Sequence, residues 1–287
     1  MKLTLIGSSS TGKTHYAGQL YGRLRHGTSR LRLRCPPKSL VALDNILQML
    51  ADGKSADHTQ ADVYEELDFP LVTDTGSEFD LLFPDYGGEQ VKSMIQTRTI
   101  PDPWVKRLRD ADGWILFVRP SLVPKMEDFI NRPPGGSIPR PLKKTQEPRE
   151  HGFVPTDSSF IELLQAALAV NKMSLLTRRR DPLLTVFLSC WDELFPEFQT
   201  SHVRPFDVLY EHLPMFAEFL RSNWSEGRLL VYGLSSLGKE LHKNKADNDY
   251  IERGPENFGW IVKPDGEADF DLTVPLLDIL NLKSNGS

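Results

Sequence analysis

The chain has 287 residues, 39% apolar and 25% charged, enough for one large globular domain with a proper core and inserts. A formal net charge of −5 provides no overall basic field, so neither nucleic acid nor an anionic membrane is an expected partner. Cys35 and Cys190 have no second cysteine or histidine at ligand spacing, which excludes a disulfide framework or zinc site and fits a reducing compartment. The opening run Met1 to Ile6 is too short for a signal peptide, and no stretch reaches the roughly 18 apolar residues of a membrane span. A cytoplasmic protein is expected.

In chain order, Leu3 to Ile6 reads as a buried strand and His15 to Arg25 as a helix. Between them Gly7, Ser8, Ser9, Ser10, Thr11, Gly12, Lys13 and Thr14 satisfy the P-loop pattern G-x-x-x-x-G-K-[ST], in the strand-to-helix context that the pattern requires. The glycines let backbone N–H groups wrap phosphate, Lys13 is placed for the β- and γ-phosphates, and the Thr14 hydroxyl is a Mg²⁺ ligand.

Residues 27–64 read as an insert. Arg30 to Arg34 alternates with strand period, Leu40 to Leu50 is helical, and Thr59 lies in a loop ahead of the next strand. Leu67 to Val72 and Phe79 to Phe83 are strand-like runs joined by Thr73 to Ser77, a segment short enough for an antiparallel hairpin. The second run ends in Asp85-Tyr86-Gly87-Gly88, followed by Glu89 and Gln90.

Trp114 to Val118, Leu183 to Leu188 and Leu229 to Tyr232 are continuous apolar runs of the kind found in buried parallel strands, and ligands bind where such strands end. Ser189-Cys190-Trp191-Asp192 follows the second, and Gly233 to Leu237, with Ser235 and Ser236, the third. Trp191 is either base-facing or core, and Asp192 is alternatively a helix N-cap. A Pro-rich insert, 119–156, is a solvated loop or a lid. Phe160 to Val170 reads as a helix, Arg178 to Arg180 as a solvated run closing a helix, and Phe206 to Trp224 as one core-facing helix.

This order of motifs resembles the translation-factor-related, Ras-like GTPases over about residues 1–120 and 180–240. The insert before the hairpin, the Gly-Gly-Glu after Asp85 and the Ser-x-Trp-Asp tetrad are similar to bacterial double-GTPase families of multi-gene conflict systems. The resemblance implies a three-layer α/β P-loop domain spanning 1–287, with one antiparallel strand in an otherwise parallel sheet. It implies GTP and GDP as ligands, Asp85 supporting Mg²⁺ through water, Thr59 as the switch threonine that closes over Mg²⁺, and Thr59 and Gly88 sensing the γ-phosphate. Asp192 would read guanine, with the Ser236 N–H on the guanine carbonyl. Ser189 and Cys190 replace the asparagine or threonine and the lysine of the usual N/T-K-x-D. Glu89 stands where Ras carries its water-orienting glutamine, with Gln90 one position later. Ser10 stands where potassium- or sodium-using relatives, dynamins among them, carry Asn or Ser. The family further implies a protein partner or second GTPase subunit and a place in defence or signalling.

Two other readings stay open. A P-loop kinase would use the 119–156 insert as its lid, with Arg132, Arg140 and Arg149 clamping phosphates. A nucleotide-bound scaffold would assemble partners without turnover.

Overall fold

The computed structural model describes residues 1–37, 40–56, 65–85, 89–123, 156–173, 177–196, 198 and 202–284. Among these residues, nine strands form one sheet: β1 (Lys2–Ile6), β2 (Leu31–Leu33), β3 (Glu65–Thr73), β4 (Glu78–Asp85), β5 (Gly113–Val118), β6 (Leu183–Ser189), β7 (Leu229–Ser235), β8 (Trp260–Val262) and β9 (Ala268–Asp269). Their order across the sheet is β2-β3-β4-β1-β5-β6-β7-β8-β9.

The parallel centre follows from composition. Every residue of β5 and β6 is buried, as expected of strands covered on both faces. Alternation then sends neighbouring side chains to opposite layers. Trp114, Leu116 and Val118 pack on one face with Trp104, Leu164 and Phe216, carried by α4 (Asp102–Asp110), α5 (Asp157–Val170) and α7 (Pro214–Asn223). Also in that layer are α3 (Glu89–Thr97) and α6 (Pro205–His212). Ile115 and Phe117 face the other side, where they meet Tyr16 and Leu20 of α1 (Lys13–His26), Leu43 of α2 (Leu40–Ala51) and Ile279 of α9 (Val274–Ser284). The short α8 (Asn248–Arg253) packs its Tyr250 near Leu50 of α2 in a smaller apolar cluster.

The hairpin is present, with β3 antiparallel to β4 and Leu67 opposite Phe83. Its turn is closed by the Gly76 N–H on the Thr73 carbonyl at 3.0 Å, Gly76 being left-handed at φ 83°. In this position a side chain would be strained.

Three expectations are corrected. The sheet has a second antiparallel strand, β8 against β7, so β3 is not alone in its direction. The single helix expected over Phe206 to Trp224 is two, because Pro214 disfavours helical backbone at Leu213, which sits at φ −141°, ψ 64°. Arg178 to Arg180 does not close a helix: α5 ends at Val170, and Arg179 is buried in a bridge to Trp224 with its guanidinium 5.0 Å from that ring. No described helix is long and apolar enough to cross a membrane.

Candidate nucleotide site

One end of the candidate site is built where β1 stops. A Cβ on Gly7 would lie 2.9 Å from Phe117 Cβ on the adjacent β5, so the close packing of the sheet itself demands glycine there. Gly12, left-handed at φ 77°, turns the chain into α1. Ser10 is also left-handed, at φ 61°. The loop curls around Lys13, whose Nζ donates to the carbonyls of Gly7 at 2.8 Å and Ser8 at 2.6 Å. Thr11 Oγ1 donates to the same Ser8 carbonyl at 2.8 Å. α1 begins at Lys13, so the positive end of its dipole lies at this loop, an arrangement suited to an anion.

β4 runs parallel beside β1, so its last residue, Asp85, emerges at the same sheet edge as Gly7. Glu89 begins α3. Only the backbone of Asp85 and Glu89 is described, and Thr59, Gly88, Arg132, Arg140 and Arg149 lie outside the described residues. Gln90 is described, and its Oε1 accepts from Trp104 Nε1 at 2.9 Å, an anchorage within the α3–α4 layer.

The other end is formed by the loops after β6 and β7, which are parallel neighbours. Ser189, buried at the end of β6, donates its hydroxyl to the Val118 carbonyl at 3.2 Å, tying β6 to β5. Cys190 turns the chain in the left-handed region at φ 53°. Trp191 resolves to core: its ring packs on Phe195 at 4.8 Å and fills the space above Gly233. That inward turn leaves Asp192 half-buried, with its Oδ1 accepting from Ser235 Oγ at 2.6 Å. Ser235 Oγ in turn accepts the Gly238 N–H at 3.0 Å, so the aspartate is oriented by the loop after β7. Burial pushes the Asp192 carboxyl above the usual range, partly offset by the Ser235 hydroxyl. Ser236, also buried, follows directly.

Arg119 and Glu193 join the two ends and were missed from sequence. Arg119, the residue after β5, donates Nη1 to the Ser10 carbonyl at 2.8 Å and Nε to Glu193 Oε2 at 3.1 Å. Its Nη2 contacts Glu193 Oε1, and Ser121 Oγ contacts Oε2. The available signal was an arginine immediately after an apolar parallel strand, at the strand end where ligands bind. The sequence pattern groups Arg119 with the Pro-rich insert instead.

Gly233 offers a sharp test of how the loop after β6 is held. A Cβ there would fall 2.5 Å from Trp191 Cδ2, a contact no small shift relieves. Gly233→Ala should displace Trp191 and with it Asp192, costing about 1–3 kcal/mol as overpacking does. Urea unfolding and GDP titration should both report the loss; a variant with parent stability and parent affinity would mean that the tryptophan does not position this loop.

A G-x-x-x-x-G-K-[ST] loop between the first strand and first helix of a mostly parallel α/β sheet defines the P-loop class. Within that class, residues 4–279 match the family model of Double-GTPase 1, and the chain belongs to this family. No curated protein matches the chain.

Proposed function

We propose that this chain is a single P-loop domain, with inserts at 27–64 and 119–156, that binds Mg²⁺·GTP and hydrolyses it as a nucleotide-dependent switch. The family name points to GTP binding and hydrolysis. The observation that carries the base assignment is the Asp192–Ser235 pair, held on the same sheet edge as the phosphate loop. A carboxylate there accepts from the ring N–H and exocyclic amine of guanine, while adenine presents the opposite pattern. The buried Ser236 would offer its N–H to the guanine carbonyl.

In this reading Lys13 and the first N–H groups of α1 bind the phosphates, and Lys13 neutralises the charge that grows on them as water attacks in line. Thr14 lies at the start of α1 and Asp85 ends β4, the strand beside β1, and a hydroxyl and a carboxylate are the hard oxygen donor types that suit Mg²⁺. When bound, the ion supplies charge neutralisation at the phosphate oxygens. Thr59 and Gly88 sense the γ-phosphate. A potassium ion beside Ser10 is a further source of charge, less favoured because the Arg119 guanidinium already lies on the Ser10 carbonyl. The switch acts on a protein partner or second GTPase subunit, in a cytoplasmic defence or signalling system. Chromatography of the nucleotide released by heat from the purified protein tests the base directly: GDP or GTP supports the reading, and ADP or ATP overturns it.

Slow intrinsic turnover is expected. Glu89 occupies the water-orienting position, and an ionised glutamate only accepts hydrogen bonds and adds negative charge near the γ-phosphate. Gln90 is anchored on Trp104. A partner or self-association that completes the site should accelerate hydrolysis, by analogy with arginine fingers worth about 10³–10⁵-fold. Single-turnover assays across protein concentration, with Glu89→Gln and Glu89→Ala alongside, check this. A fast rate in the isolated parent, independent of concentration and equal in both variants, would reject it.

A further inference from the structure

The loops that grip the two ends of the nucleotide are far apart in sequence, and Arg119 is where they meet. Its guanidinium spends one N–H on the Ser10 carbonyl of the phosphate loop and a two-point fork on Glu193, the neighbour of Asp192. Both side chains are partly shielded, 25% and 29% exposed, so the pair is not a fully solvated surface contact. Forked geometry of this kind suits arginine and not lysine. The tetrad itself supplies no cation. Cys190 holds its third-from-last place beside Gly12, and burial pushes that thiol up to about 12, so it is uncharged at neutral pH.

We propose that Arg119 is a positioning residue that locks the phosphate loop to the base loop through Ser10 and Glu193, and that this tie sets how slowly guanine nucleotide leaves. The inference rests on the GTP-binding reading above. A nucleotide held at both ends must lose both grips to dissociate, and a tie between the loops keeps one from opening while the other is closed. Fragments that touch only the phosphate loop should not notice its removal.

The test is release of ribose-labelled fluorescent GDP, chased with excess unlabelled GDP, from the parent and from Arg119→Ala, Arg119→Lys, Glu193→Gln and the Arg119→Ala/Glu193→Gln double variant. Arg119→Ala should release GDP about tenfold faster or more, the factor expected for a lost charge-assisted bond. Glu193→Gln should move in the same direction, and the double variant should be no faster than Arg119→Ala, because both substitutions break one tie. Arg119→Lys, which can reach one partner only, should fall between. Inorganic pyrophosphate, competing for the phosphate loop alone, should bind the parent and Arg119→Ala equally. If Arg119→Ala fails to fold, the lysine and Glu193→Gln variants carry the comparison. A parent that binds GDP while these variants release it at the parent rate overturns the tie and leaves the GTP reading intact. Equal weakening of pyrophosphate and GDP, or additive effects in the double variant, overturns it as well. A parent that does not bind GDP overturns the functional reading, and this inference with it.

Discussion

Lys13→Ala should lower the affinity for GTP and GDP by about 10²-fold or more, and remove hydrolysis with it. The magnitude follows from the loss of charge-assisted hydrogen bonds to phosphate, each about 1.5–3 kcal/mol, in a loop whose shape depends on the same ammonium. Lys13 Nζ lies on the carbonyls of Gly7 and Ser8, so alanine removes both the phosphate's counter-charge and the post around which the loop curls. Lys13→Arg should not rescue, because the longer planar head cannot fit inside that curl. The check is GDP titration with circular dichroism to confirm folding. A folded Lys13→Ala protein that retains parent affinity would mean that phosphate is not held by this loop.

Asp192→Asn should exchange guanine for xanthine preference, and its effect on stability should have the opposite sign to its effect on binding. Asparagine presents an amide donor where guanine has its exocyclic amine and xanthine a carbonyl. Losing the charge-assisted bonds to guanine should cost about 1.5–3 kcal/mol of affinity. In the nucleotide-free protein the reverse holds. The Asp192 carboxyl is raised above its ordinary value, chiefly by burial, so its ionised form is less favourable in the folded chain than in the unfolded one. The resulting penalty is absent below the unfolded value, grows as pH rises through the window up to the raised folded value, and is fully present above it. Asparagine, still able to accept from the Ser235 hydroxyl, removes that penalty. Nucleotide-free Asp192→Asn should therefore melt no lower than the parent at neutral pH, while GDP raises its Tm less and the xanthine nucleotide more. Guanine affinity in the parent should also fall on acidification, beginning at higher pH than for an ordinary aspartate. A variant that melts lower and keeps guanine preference would contradict both halves of the argument.

The parts of the fold that were legible share a physical reason. The phosphate loop, the β3–β4 hairpin and the strands β5, β6 and β7 are each specified by local pattern: fixed glycines, runs bounded by a turn, or a continuous apolar stretch. What was not legible depends on contacts distant in sequence. β8 has three residues and β9 two, and their strand character comes from pairing along the edge of β7, so no periodicity announces them. The split between α6 and α7 was legible in principle, since Pro214 forbids what the helical spacing of Leu209, Leu213 and Phe216 invites. Arg179 reads as one of three surface arginines until Trp224, brought alongside by the bridge between their segments, buries it. In the candidate site, the residues Gly7 to Thr14 are marked by their spacing. Asp192 does so only by its place after β6, because Ser189 and Cys190 depart from the usual tetrad. Arg119 and Glu193 are 74 positions apart, and the parallel pairing of β5 with β6 brings them together.

The central claim is that a guanine nucleotide spans from the Gly7–Thr14 loop to Asp192. Calorimetric titration of nucleotide-free protein with GDP and then with ADP, in the presence of Mg²⁺, tests it most directly. Tight binding of GDP, with ADP weaker by about tenfold or more as expected for the loss of a charge-assisted base contact, is the predicted result. Equal affinity for the two nucleotides would contradict it.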